Sequence, residues 1–214
     1  TVGIALSGSL TSGTANGNNG NYNVFDSLDV EGAYYGMSLR GTSTSSYIVG
    51  NQITNCNFSQ QNYYPVYTYY GDKMLIDNCV TSPTRNAAGD GFYIYYASNS
   101  VISNNTIDAR DYGMYLYYFN ANSYDNSIRS LVYNSRVHSS SDYGIYFYYA
   151  DNLKIYHNSV SATSGYAVRF FNSDNSVVLN NHFKNYRTSA NSYVFYTSGS
   201  SFDSLDYNNY MSYS

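Results

Sequence analysis

Two seventeen-residue segments of this chain align with each other without a gap. Gly91-Phe-Tyr-Ile-Tyr-Tyr-Ala-Ser-Asn-Ser-Val-Ile-Ser-Asn-Asn-Thr-Ile107 aligns with Gly144-Ile-Tyr-Phe-Tyr-Tyr-Ala-Asp-Asn-Leu-Lys-Ile-Tyr-His-Asn-Ser-Val160. A third copy runs over residues 167–183, a fourth begins at Gly113, and earlier ones begin at Gly36 and Pro65. One column fixes the register: Phe25, Ile53, Ile76, Ile102, Val132, Ile155, Val178 and Leu205. Neighbours in it lie between 23 residues (Ile53 to Ile76) and 30 residues (Ile102 to Val132) apart. A constant kernel at an irregular interval means a repeated coil carrying loops of varying length, in which each coil contacts only its neighbours.

Inside the kernel the period is two. Ile145 and Phe147 alternate with Tyr146 and Tyr148, as a strand with one buried face requires. Met37, Val66, Phe92, Met114, Ile145 and Val168 make one inward column, and Leu39, Thr68, Ile94, Leu116, Phe147 and Phe170 the next. Thr68 is the polar exception. No 3.6-residue period survives, so helices are not expected.

Equivalent residues stacked about 4.8 Å apart form ladders of like side chains. Asn55, Asn78, Asn104, Asn134 and Asn180 fall in one column; Asn105, Asn158, Asn181 and Asn208 fall in the next. Asparagine tolerates the left-handed backbone of a sharp corner, and its amide can bond to the coils above and below. These residues are expected to be structural. The Gly-Ile-x-Leu-x kernel followed by Ile-x-Asn-Asn-x-Ile resembles the parallel β-helix repeat of the pectate-lyase-like superfamily, in its Asn-rich bacterial secreted or surface form. The resemblance covers essentially the whole chain. It implies an all-β, right-handed parallel β-helix of about eight coils, and leaves function open between lyases, hydrolases, epimerases, adhesins and stalks.

The chain is expected to form one β-helix domain over 1–214, with 11–23 a loop thrown out of the first coil. Gly3-Ile-Ala-Leu-Ser-Gly8 copies Gly36-Met-Ser-Leu-Arg-Gly41, which suggests a segment of a longer solenoid.

Composition narrows the partners. A net charge of −4 with 10 Lys plus Arg argues against a nucleic-acid footprint. No apolar run reaches the roughly 18 residues of a membrane span. Only 11% of residues are charged while 30 are tyrosine, a balance that points to an extracellular or cell-surface location.

Tyrosines fall into three further columns. Tyr67, Tyr93, Tyr115 and Tyr146 make one; Tyr69, Tyr95, Tyr117 and Tyr148, continued by Phe171, make another; Tyr70, Tyr96, Tyr118 and Tyr149 sit at the turn. The bland explanation is ladder stacking, which holds register. The functional one is an interaction surface for the C–H faces of sugars, a second protein or a sister copy. Regular Thr rows, as an ice-binding plane would need, are missing.

Catalytic candidates are sparse. Asp111 and Asp142 each precede a kernel glycine by two residues and should stack as a carboxylate pair, although Asp before Gly is also ordinary turn chemistry. Arg169 replaces a column tyrosine and forms, with Lys154, Tyr156 and His157, a second and mixed candidate cluster, although Arg169 and His157 do not fall on the same strand. Cys56 and Cys79 take ladder-asparagine positions one coil apart, which permits either a disulfide or two buried thiols. Two cysteines and three scattered histidines do not suit zinc, no cofactor is implied, and Ca²⁺ in the Asp/Asn-rich loops stays open. The reading favours a non-catalytic surface or secreted module that is adhesive or structural, with a polysaccharide or surface glycan as partner. A polysaccharide lyase, hydrolase or epimerase is the alternative. A filament segment stacking on neighbouring β-helices or on itself is the third.

Overall fold

The computed structural model describes residues 2–6, 20–120, 129–188 and 193–213. Every element among them is a β-strand, and every pairing between strands is parallel. The strands wind into a right-handed solenoid with three faces. The first sheet runs from Val2–Leu6 through Tyr35–Arg40, Tyr64–Asp72, Phe92–Ser98, Met114–Tyr117, Ile145–Tyr148 and Val168–Phe171 to Phe195–Ser198, with Ile48–Val49 beside Tyr64–Asp72. A second sheet stacks eight strands from Val24–Asp26 to Phe202–Asp206, and a third stacks eight from Asp29–Glu31 to Asn209–Ser212.

The register is the one the repeats dictate. Met37 pairs with Val66, Val66 with Phe92, Phe92 with Met114, Met114 with Ile145 and Ile145 with Val168. These side chains are buried, as are Leu39, Ile94, Leu116, Phe147 and Phe170 in the adjoining column. Phe147 stacks on Phe170 at 4.4 Å and 14°. Each fully buried aliphatic or aromatic side chain contributes about 1.5–3 kcal/mol, so the inward columns are the main source of stability. Thr68 is fully buried and its hydroxyl has no partner.

Corners come from single residues with left-handed backbone. Between the second and third sheets these are Ser27, Asn55, Asn78, Asn104, Asn134, His157, Asn180 and Tyr207, with φ between 51° and 58°. The next position inward carries the buried asparagines. Asn158 accepts from the Ser135 N–H at 3.0 Å and donates to the Val132 carbonyl at 2.9 Å, while Asn181 serves Asn158 and Ile155 in the same way. The corner's backbone groups are thus satisfied from the neighbouring coils. Kernel glycines have a steric cause: a Cβ on Gly113 would lie 2.5 Å from the Gly144 carbonyl oxygen of the next coil.

Cys56 and Cys79 are free and buried. The structure holds them as two thiols, one of the two alternatives the ladder positions leave open. The reason lies in the ladder: Cys56 Sγ points at the Phe25 carbonyl (3.4 Å) and Cys79 Sγ at the Ile53 carbonyl (3.6 Å). Those carbonyls occupy the column that asparagine amides serve elsewhere. Burial pushes both thiols up, Cys79 to about 12, so neither is a ready thiolate. The loop expected at 11–23 lies outside the described residues as far as residue 19.

Candidate functional site: the tyrosine sheet and its acidic margin

Outward positions of the first sheet carry the tyrosines, and parallel in-register pairing forces them into rows. Tyr93 is opposite Tyr67 and Tyr115; Tyr95 is opposite Tyr69 and Tyr117; Tyr115 and Tyr117 are opposite Tyr146 and Tyr148. Ring centroids along the second row are 4.6 Å (Tyr69–Tyr95), 4.5 Å (Tyr95–Tyr117), 4.8 Å (Tyr117–Tyr148) and 5.1 Å (Tyr148–Phe171). Along the first row Tyr67–Tyr93 and Tyr115–Tyr146 are stacked, whereas Tyr93 and Tyr115 meet edge to face at 84°. Upstream of the strands Tyr143 stacks on Tyr166, and Tyr166 stacks in turn on Tyr196, which lies inside Phe195–Ser198 opposite Arg169.

This geometry changes what the surface offers. Rings that stack along the solenoid axis cover one another's faces, so solvent meets ring edges and phenol hydroxyls. The surface is a hydroxyl-tipped sheet. Tyr146 is more enclosed than its outward position suggested, at 8% exposure, because the Arg169 guanidinium lies 4.8 Å above its ring. Desolvation first, and neighbouring phenols second, raise the hydroxyls of Tyr93, Tyr95 and Tyr115 and push Tyr69 up to about 12; burial pushes Tyr146 to about 12 as well, against the charge of Arg169. They remain protonated hydrogen-bond donors at neutral pH.

Left-handed backbone recurs at the far edge of the sheet. Tyr70, Tyr96, Tyr118 and Tyr149 have φ of 50–56°, a conformation that costs a bulky residue roughly 1–2 kcal/mol. In the next two coils the same corner is Asn172 and Gly199. The sequence placed these tyrosines at the turn but gave no sign that they carry this strain.

The opposite edge gathers carboxylates. Asp142 is raised to about 6, chiefly by burial and then by Asp111, against hydrogen bonds from Tyr112 and Tyr143 and the charge of Arg169. Asp111 is raised by burial. Asp90, which sequence reasoning missed, is 3% exposed, accepts from the Tyr112 N–H at 3.2 Å and is raised well above 3.8 by burial. Arg169 donates to the Tyr143 hydroxyl at 2.9 Å. Asp90 was legible only as turn chemistry before a glycine, because nothing local in the sequence reports its burial.

A family model described as the right-handed β-helix region matches residues 6–130 and 123–210. The chain belongs to that family. Comparisons with curated proteins and with solved structures returned no match. In this β-helix, Asp111, Asp142 and Arg169 come together as one margin, but His157 does not join them. It occupies the corner between the second and third sheets, in a groove shared with His182, Asn180 and Tyr207. Lys154 and Tyr156 belong to the second sheet, so the mixed cluster around Arg169 dissolves. The structural asparagines Asn104 and Asn180 are exposed at the corner, and Asn105, Asn158 and Asn181 are buried beside it. Among the described residues no three His, Cys, Asp or Glu side chains are grouped to hold a metal ion. No helix there is long and apolar enough to cross a membrane.

Proposed function

We propose that this β-helix is a non-catalytic module of a secreted or surface-exposed protein that binds polysaccharide along the tyrosine sheet. The observation that carries the reading is the regular array of protonated phenols on half-buried rings, repeated at the coil spacing of about 4.8 Å. Immobilised donors with apolar edges between them suit a chain of hydroxylated rings, because little side-chain entropy remains to be lost on binding. Binding is expected to rest on phenol hydrogen bonds more than on face stacking. The triple variant Tyr95→Phe/Tyr117→Phe/Tyr148→Phe keeps the rings and removes three hydroxyls worth about 0.5–1.5 kcal/mol each. Affinity electrophoresis across a polysaccharide panel should show tenfold weaker retention or more, by about 1.4 kcal/mol per decade. Equal retention of parent and variant on every polysaccharide that binds, or no binding at all, sinks the reading.

One observation favours a second reading. Asp142, Asp111, Tyr112, Tyr143 and Arg169 converge beside the same surface, and a carboxyl raised to about 6 can hold a proton for a leaving group at mildly acidic pH. In that case the chain acts on the polysaccharide it binds, as a hydrolase, lyase or epimerase. Release of reducing ends or unsaturated product that disappears in Asp142→Asn supports it; flat traces across the panel remove it.

A further inference from the structure

The corner tyrosines hold a combination that neither backbone economy nor glycan binding requires. Tyr70, Tyr96, Tyr118 and Tyr149 adopt left-handed backbone in four successive coils, where asparagine or glycine would turn the chain with less strain. Their rings are the most nearly parallel run on the first sheet: Tyr70–Tyr96 at 5.1 Å and 20°, Tyr96–Tyr118 at 4.6 Å and 0°, Tyr118–Tyr149 at 5.1 Å and 10°. All four are half-exposed. Beside them, ring centre to ring centre, Tyr69 lies 4.2 Å from Tyr70, Tyr95 4.6 Å from Tyr96, Tyr117 4.5 Å from Tyr118 and Tyr148 4.8 Å from Tyr149. Each corner phenol therefore has a ring copy directly above or below it and a phenol partner beside it.

We propose that this column is a site of oxidative modification, in which one-electron oxidation joins neighbouring corner tyrosines as dityrosine and welds successive coils together. Phenols that are stacked in fixed register need little rearrangement to bring ortho carbons together. The phenols in ring contact alongside can pass an oxidising equivalent into the column, since a phenol gives up its proton as it gives up its electron. The oxidant is a peroxide acting through a haem peroxidase. Two phenols each lose one electron and the O–H proton. The two radicals form a carbon–carbon bond between ring positions ortho to the hydroxyls. The ring hydrogens displaced there move to oxygen and restore both phenols. The two electrons and two protons reduce one hydrogen peroxide to two waters.

The test sets register against accessibility. Tyr22 and Tyr207 are far more exposed than any corner tyrosine, at 74% and 78%, so coupling governed by access alone would fall on them and join separate molecules. The folded chain is treated at low concentration with peroxidase and hydrogen peroxide, followed by dityrosine fluorescence, size-exclusion chromatography and peptide mapping. The expected product is monomeric, with the Tyr96 and Tyr118 peptides joined at the loss of two hydrogens. Tyr96→Phe keeps the stack and should lose the Tyr70–Tyr96 and Tyr96–Tyr118 products while the Tyr118–Tyr149 product persists. Dityrosine spread over Tyr22 and Tyr207, intermolecular product alone, or no dityrosine overturns the proposal. Since Phe retains the ring, the variant folds as the parent does, and far-ultraviolet circular dichroism checks this.

Discussion

Individual residues in this solenoid are constrained by what sits one coil away. Asn158 illustrates the rule, since its amide satisfies backbone groups of Ser135 and Val132 rather than of its own coil. Thr68 illustrates its breach. The residue sits in an apolar column between Leu39 and Ile94, fully buried, and its hydroxyl meets no acceptor. Valine has the same shape without the desolvated hydroxyl, and an unsatisfied buried polar group costs about 1–3 kcal/mol. Thr68→Val should therefore stabilise the fold by about 1 kcal/mol, read as a higher urea midpoint at unchanged slope. A lower midpoint would mean that the hydroxyl has a partner. The sequence exposed Thr68 as an anomaly because column membership is a matter of counting. Tyr146 was less legible: counting placed it outward, but its enclosure depends on how the Arg169 side chain folds over it.

At the level of the coil, one corner accepts several side chains for one task. Asparagine amides and cysteine thiols serve the same column of carbonyls at Phe25, Ile53, Ile76, Val132, Ile155 and Val178. Cys56 and Cys79 are fully buried, so the native protein should resist iodoacetamide. Unfolding in denaturant without reductant should then release two reactive thiols, counted by mass. An unfolded chain that takes no label would restore the disulfide. Strand positions, register and the asparagine corners were all readable in advance, since a repeat reports its own alignment. Ring orientation was not. It depends on side-chain rotamers, and it decides that the surface displays edges and hydroxyls. The meeting of Asp90 with Asp111 and Asp142 was hidden too, because their surroundings are assembled from several coils.

For the molecule as a whole, the acidic margin sets how stability should vary with pH. Asp142 has a folded value of about 6 against an ordinary 3.8, and Asp90 and Asp111 are raised in the same sense. Between those values the folded chain holds protons that the unfolded chain has released, so stability falls as pH rises. The contribution is complete below about 3.8 and gone above about 6. Asp26 has the opposite sign, held low by Thr54 and Asn55, and matters only below its ordinary value. Lowering pH from about 7 to about 4.5 should accordingly raise Tm, and Asp142→Asn should flatten the rise. A Tm that drops over this interval would show that the carboxylates are ionised and solvated in the folded state. Charge screening at the half-exposed Asp142 limits the size of the effect without changing its direction.

Because every strand pairing among the described residues is parallel and links one coil only to the next, the length of the tyrosine rows is set by the number of windings. Removing a 23-residue interval such as residues 133–155, which joins Val132 to the chain just after Ile155, takes out one rung and lets the flanking rungs meet. Each such excision would shorten the rows by about 4.8 Å while leaving the remaining rungs unaltered. The rows of tyrosine are in this sense a ruler, graded one winding at a time.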